Sequence, residues 1–509
     1  MSHREEFKRE FDLLCAAVYN QRIEPKGGTA VKADVIPEPQ SIKIKSEEPA
    51  FSLTRLAELC SDEECEGVMA YFAKFCGEHF GLEFVGTGKE ELSFFVTPDL
   101  SEESYRIFVG EDRVKIEGGS KKGAFWGVQT LLWLLFQNDC SLCALEIEDC
   151  PQSKNRGLML DCSSWFFSPE AVKLILDAMA FHKLDVFHWK LSGNMGWRLE
   201  LFENFLLSQI GSARAFTGLG KEPHSGFYSQ QDVKNILAYA KERFITVVPE
   251  LDFPDHTAAA VCAYPSLSCR GEETVVPTRF GDTSGCLCLG KEETYDFVFS
   301  VLDETAELFG SRYIHIGGGR SKKSPRGTCS HCLEKMKKLG TDESGLVKDF
   351  FEKSAAHLEK RGVKAIIRCN EPGFVPKNAV AEVTSAEKTE KLQTIDASVA
   401  LSLPHSEFGV RECYEQSLSV FSTGTEAVLN TEYAPSMKKA GELLFPRLGA
   451  FCEKAWTKKE NRSFERFLEK LDSYYAYLDL FGLFASKRKD AFPGRLKGKL
   501  GKIKNRLGR

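Results

Sequence analysis

After Cys150 the chain alternates between short apolar runs and longer segments whose apolar residues recur every three to four positions. RGLMLD, from Arg156, reads as a strand. SPEAVKLILDAMAFHKL reads as a helix with Ser168 as N-cap and Pro169 at its first helical position. The strand DVFHWKL, the helix SQQDVKNILAYAKERF and the strand ITVVPEL come next. The amphipathic KEETYDFVFSVLDETAELFG then leads into YIHIG, and ESGLVKDFFEKSAAHLEKRG into VKAIIRC. AVAEVT, SVALSL and EAVLN complete eight strands, with weaker helices between them. The strands look apolar throughout, as expected when helices cover both faces of a parallel sheet. Eight such repeats predict an α/β fold, a (β/α)8 TIM barrel over residues 151–486. LLFPRLGAFCEKAW and FERFLEKLDSYYAYLDLFG close that region as amphipathic helices.

Residues 35–150 mix the two periods. IPEPQSIKI and LSFFVTP read as strands, YRIFVGEDRVKIEG as a hairpin through Gly110–Glu111–Asp112, and KGAFWGVQTLLWLLF as a buried helix. This predicts a smaller α+β domain ahead of the barrel. Residues 1–34 read as an amphipathic helix followed by an unpatterned linker. The apolar run of that helix is short and follows acidic residues, unlike a signal peptide. Residues 487–509 form a tail of ten Lys/Arg and one Asp, either a solvated end or an arm suited to an anionic surface.

Composition narrows the picture further. The 509 residues carry a formal charge of −6, which argues against a generic nucleic-acid binder, and no 18-residue apolar run predicts a membrane span. Seventeen scattered cysteines, with no export signal before them, predict buried thiols and a cytoplasmic location. Cys329-Ser-His-Cys332 raises zinc and redox chemistry. A structural zinc usually needs a second pair or added histidines, and only His331 sits nearby, so structural thiols are expected, with no metal and no cofactor. YIHIGGGRS resembles a strand feeding a glycine-rich anion loop, yet it fits neither the dinucleotide nor the P-loop spacing.

Barrel chemistry belongs at the C-terminal ends of the strands. These ends read Asp161, HWKLSGNMGWR, PELDFPDH, GGGR, RCNE, LPHSEFGV and LNTEY. Together with IPEPQ, GAFWGVQTL, IEDCPQSKNRGLMLD, LCLGKEETYDF, YIHIGG and LLFPRLGAFCEKAW, they resemble glycoside hydrolase family 20, the β-N-acetylhexosaminidases, over about Val35 to Ser486. The resemblance implies an α+β domain before a (β/α)8 barrel. It also implies an adjacent Asp-Glu pair after IHIGG. The aspartate orients the substrate's 2-acetamido group as nucleophile, and the glutamate protonates the leaving oxygen. Those positions hold Gly319 and Arg320. Neither donates a proton at neutral pH.

Other departures cluster in the same pocket. A phrase resembling HWHLTDDQGWR has lost both aspartates, at Gly193 and Asn194. The residues that grip the acetamido group align with Phe408 and Val410, and its aromatic wall with Asn430, Cys369 and, loosely, Thr384. Arg156, Asp161, Trp197, His256 and Glu432 match family residues around the sugar, so the resemblance implies a carbohydrate or glycan partner held by them. Each also has a plain structural explanation: an Arg156–Asp161 ion pair, core packing for Trp197 and His256, and a rim charge for Glu432. The expectation is a family member that has lost hydrolysis of terminal N-acetylhexosamines but keeps a sugar site. The alternatives are an active glycosidase using Asp255 or Glu371 as a relocated acid, and a partner-binding scaffold. Arg320 is expected to pair with Asp161, Asp252, Asp255 or Glu371 within about 3.2 Å.

Overall fold

The computed structural model describes residues 32–216, 222–279, 285–319, 324–369, 371, 373–384, 393–419 and 422–492. The expected N-terminal helix, Arg320 with its expected ion pair, and the basic tail beyond residue 492 lie outside the described residues. No described helix is long and apolar enough to cross a membrane. The chain divides into two units.

The first unit holds residues up to 152, together with 180–183 and 445–491. Its elements are β1 (Ser41–Ser52), β2 (Glu58–Ser61), α1 (Glu66–Phe80), β3 (Glu91–Val96), β4 (Tyr105–Gly110), β5 (Arg113–Gly118), α2 (Lys121–Gln137) and β6 (Ser141–Asp149). The sheet order is β1-β6-β4-β5-β3-β2. The β4–β5 pair is the hairpin the sequence predicts, in register from Tyr105↔Gly118 to Gly110↔Arg113, with Asp112 at φ 54° in the turn. Ser120 caps α2, its hydroxyl accepting from Lys122 N and Gly123 N. That helix is apolar nearly all round because it is buried nearly all round. The helix α1 and the strands β2 and β6 are additional to the predicted elements. The α1 stripe of Val68, Phe72, Phe75 and Cys76 is narrow and diluted by exposed Glu and Lys, so it carries a weak sequence signal.

The second unit is the barrel. Its strands are β7 (Arg156–Asp161), β8 (Val186–Lys190), β9 (Thr246–Phe253), β10 (Tyr313–Gly317), β11 (Lys364–Arg368), β12 (Val380–Val383), β13 (Thr394–Ala400) and β14 (Gly424–Leu429). They pair in chain order, all parallel, and β14 closes onto β7. All eight coincide with predicted strands, although β13 starts four residues before SVALSL. The outer helices include α3 (Pro169–Phe181), α4 (Gln230–Lys241), α5 (Glu292–Phe309), α6 (Ser330–Leu339) and α7 (Glu343–Lys360). Ser168 Oγ accepts from Ala171 N at 3.2 Å, the predicted cap, and Ser229 with Asp232 forms a full capping box on α4.

The barrel interior is layered. Toward the strands' N-terminal ends, Val186, Val248, Ile366, Val380 and Ile395 form an apolar pad. Above it the inward positions are charged, which the apolar appearance of the strands conceals. Glu250 is fully buried and meets His188 Nε2 at 2.8 Å and Lys190 Nζ at 3.1 Å. Arg368 reaches it with two nitrogens, at 3.2 and 3.1 Å. Arg368 also holds Glu382 at 3.0 and 3.2 Å, and His188 Nδ1 meets Glu426 at 3.0 Å. His315 sits against Glu382. Against the burial that would raise it, Arg368 and Lys190 hold Glu250 well below the ordinary carboxylate range. Burial alone would discharge His188, but Glu426 and Glu250 push it up to about 10.

A histidine whose folded pKa exceeds its unfolded value of about 6.5 stabilises the fold when protonated. Its contribution is therefore complete below about pH 6.5, declines as pH rises toward about 10, and is gone above that. The urea midpoint is expected to fall between pH 7 and pH 10 in the wild type and to fall less in His188→Asn. Equal slopes for the two proteins would contradict the assignment.

Candidate functional site

The strands' C-terminal ends surround a cleft of about 220 Å³. Asp161 closes β7 and Lys190 closes β8. Gly193, Asn194 and Met195 lie in the tight turn after β8, which is held by the short antiparallel pairing of Ser192–Gly193 with Gly196–Trp197. Asp252 and His256 come from β9 and the segment after it, Gly319 from the end of β10, Arg368 from β11, and Asn430 and Glu432 from the segment after β14.

Each carboxylate of the cleft has a different environment. Asp161 is buried and saturated: Ser163 donates its N–H at 2.9 Å and its hydroxyl at 2.6 Å, and Ser164 its hydroxyl at 2.7 Å. Asp252 is buried too. Its Oδ2 accepts from Lys190 at 2.7 Å, whereas Oδ1 has no hydrogen-bond donor among the described residues. Glu432 stands on the rim, where partial burial of its carboxyl and the neighbouring Asp161 raise its pKa above the ordinary glutamate range, offset in part by Lys190 and His256.

The glycine run after β10 divides by cause. Gly317 and Gly318 have φ of 81° and 129°, and a Cβ on them would stand 2.3 Å from Asp252 Oδ1 and 2.1 Å from the Arg368 carbonyl oxygen. These two let the strand end lie against its neighbours. Gly319 is different. Its backbone lies outside the left-handed region, and what fills its side-chain space is the His256 imidazole, with Nε2 2.7 Å and Cδ2 2.8 Å from an ideal Cβ. His256 itself is held at φ 57°, and Asn194 Nδ2 lies 3.2 Å from its Nδ1.

The structure brings Asp161, His256 and Glu432 into the cleft but not the other two expected sugar contacts. Arg156 opens β7, at the opposite end of the strand from Asp161. It is buried there on Asp185 at 3.2 Å and on the carbonyls of Ser153 and Lys154, so the expected Arg156–Asp161 ion pair does not form. Trp197 is buried, donates to the Leu199 carbonyl at 2.7 Å and packs near Phe253, away from the lining. Of the two substitute acids, Asp255 is buried against Arg326 at 2.7 Å, and Glu371 is exposed outside the cleft lining. Three of the four acceptors expected for Arg320 thus have other partners: Asp161 its serines, Asp252 Lys190, and Asp255 Arg326. Val410 is buried at the start of a short helix, and neither it nor Phe408 lines the cleft. Lys190, Asp252, Arg279 and Arg368 are lining residues that sequence reasoning did not name as sugar contacts. Period-two charges in HWK, PELD and AIIR were the available signal.

A (β/α)8 barrel that follows an α+β domain in the chain, with carboxylates and cations gathered at its strand ends, places the chain among the barrels built like enzymes, a class that spans many chemistries. Comparison with known proteins narrows the class. The family model for the glycosyl hydrolase family 20 catalytic domain matches residues 154–372, and that for domain 2 of the same family matches residues 32–150. A beta-hexosaminidase of Porphyromonas gingivalis is 32% identical over 425 residues, 75% of this chain and 54% of the relative, so the chain spans about half of that protein's length. A beta-N-acetylhexosaminidase of Cellulomonas fimi is 28% identical, with 88% of this chain and 95% of the relative aligned. The crystal structure of a GH20 exo beta-N-acetylglucosaminidase from Vibrio harveyi, in complex with N-acetylglucosamine, superposes with a TM-score of 0.81 at 24% identity, covering 90% of this chain and 79% of that one. The chain belongs to glycoside hydrolase family 20.

The clash at Gly319 has a measurable consequence. Gly319→Ala is expected to destabilise the protein by no more than about 1 kcal/mol, below the usual cost of core overpacking, because only the tip of the partly exposed His256 side chain must turn aside. His256→Gly should relieve most of that, since glycine also suits the positive φ of residue 256. A urea-denaturation double-mutant cycle measures the coupling; purely additive effects would show that the imidazole does not occupy this space.

Proposed function

We propose that this chain is a carbohydrate-binding member of family 20 in which hydrolysis of terminal N-acetylhexosamines has been lost. The observation that carries the proposal is Gly319 with the His256 ring packed into its side-chain space. The family position of the aspartate that orients the acetamido group has no carboxylate, and a neighbouring side chain has closed over it. General acid catalysis contributes roughly 10²–10⁴-fold, and the next position, Arg320, supplies no acid. Binding needs less. Asp252, whose Oδ1 has no donor among the described residues, and Glu432 at the rim both line the cleft and supply acceptors suited to sugar hydroxyls.

A second reading, an active glycosidase with a relocated acid, is favoured by the hexosaminidase names of the relatives and by the raised pKa of Glu432. Glu432 then replaces Asp255 and Glu371 as the group to test. An acid of this kind loses activity as pH rises through its pKa, because only the protonated form donates.

Purified protein is expected to show no more than trace turnover of chromogenic N-acetylglucosaminides, N-acetylgalactosaminides or other glycosides. Turnover near ~1 s⁻¹ that is abolished by Glu432→Gln would replace the proposal with the second reading. On a glycan array the wild type is expected to retain at least one ligand. Asp252→Asn should weaken that binding by about tenfold or more, as expected for a hydrogen bond to a charged group. No binding and no turnover would leave the barrel a scaffold.

A further inference from the structure

Far from Cys329 and Cys332 in sequence, Cys269 and Cys288 come to meet them. The four sulfurs lie within 4.8 Å of one another. Cys288 is 3.6 Å from Cys332 and 3.7 Å from Cys329, and Cys269 is 3.9 Å from Cys332. A disulfide would bring one pair to about 2.05 Å and leave the others unrelated. Four thiolates on a tetrahedral zinc, with Zn–S of about 2.3 Å, stand about 3.8 Å apart along each edge. We propose that Cys269, Cys288, Cys329 and Cys332 form a structural zinc site that staples the segment after β9 to the segment after β10.

The surroundings are built for it. Cys288, Cys329 and Cys332 are buried, and Cys269 is partly so. The Cys288 N–H donates to the Leu267 carbonyl at 2.8 Å, and Ser268 pairs with Leu287, which fixes Cys269 beside Cys288. Cys329 is the N-cap of the ten-residue helix α6, and Cys332 lies in its first turn, so the positive end of the helix faces the sulfurs. A Cβ at Gly290 would stand 2.2 Å from the His331 backbone, and glycine there lets the Cys288 segment lie on the helix start. Binding exchanges four S–H protons for four Zn–S bonds and needs no redox partner. His188, His315 and Glu382 also lie close enough together for a metal, but the Arg368 guanidinium already holds both Glu382 oxygens.

The test uses the full chain. Protein expressed with added zinc is expected to carry one zinc per chain by elemental analysis. Chelator-treated protein titrated with Co²⁺ should develop the charge-transfer and ligand-field bands of a tetrahedral tetrathiolate, saturating at one equivalent. Cys329→Ser/Cys332→Ser should lose both signals, whereas Cys413→Ser, at a buried thiol elsewhere, should keep them. If the double variant does not fold, wild-type thiol counts decide. A thiol reagent should modify four fewer cysteines in the zinc-loaded protein than in the chelated one. A featureless cobalt titration with unchanged thiol counts overturns the site, and one equivalent of iron in place of zinc overturns the choice of ion.

Discussion

A carboxylate without water must be answered by cations, and the interior of this barrel is organised around one such group, Glu250. Three cations supply the answer: His188 and Lys190 from the adjacent strand β8, and Arg368 from β11, two strands away. Each of these cations also serves a second carboxylate, Glu426, Asp252 or Glu382. The layer therefore behaves as one network, in which removing any member strands a charge in low dielectric. It also sets the floor of the mouth. Lys190 is engaged by Asp252 and Glu250 and Arg368 by two glutamates, and among the described residues Asp252 Oδ1 is left without a donor. Electrostatics beneath the cleft thus decides which groups above it remain to meet a ligand.

Much of the fold was legible because the strand and helix periods are strong and the caps are local. Ser168, Ser229 with Asp232, and the Glu111–Asp112 turn each act within a few residues of themselves. The charged interior was hidden by reading whole strands as apolar. The inward positions of HWK and PELD alternate with outward apolar ones, and only that alternation separates Glu250 and Asp252 from Leu251. Arg156 was misplaced for a related reason. It precedes Asp161 by nearly the full length of a strand whose chemistry belongs at the other end. The cysteine cluster was beyond local reasoning. Cys269 and Cys288 have no motif spacing to the CxxC pair, and only tertiary packing of two inter-strand segments joins them.

The glycines and Asp255 at the barrel mouth are each held for a different physical reason. Gly317 and Gly318 are demanded by backbone and packing, whereas Gly319 is free in its backbone and closed only by a histidine ring. Asp255 is tied to Arg326, whose guanidinium also holds the carbonyls of Leu287 and Pro254. The Asp255–Arg326 pair is thereby a strut between segments.

The central claim is that the mouth binds sugar without cleaving it. A crystal of the wild-type protein soaked with a β-linked N-acetylglucosamine disaccharide tests this most directly. The expected result is an intact disaccharide with a hydroxyl within hydrogen-bond reach of Asp252 Oδ1 and the Glu432 carboxyl. Density for a cleaved monosaccharide, with a carboxyl group beside the departed oxygen, would contradict it.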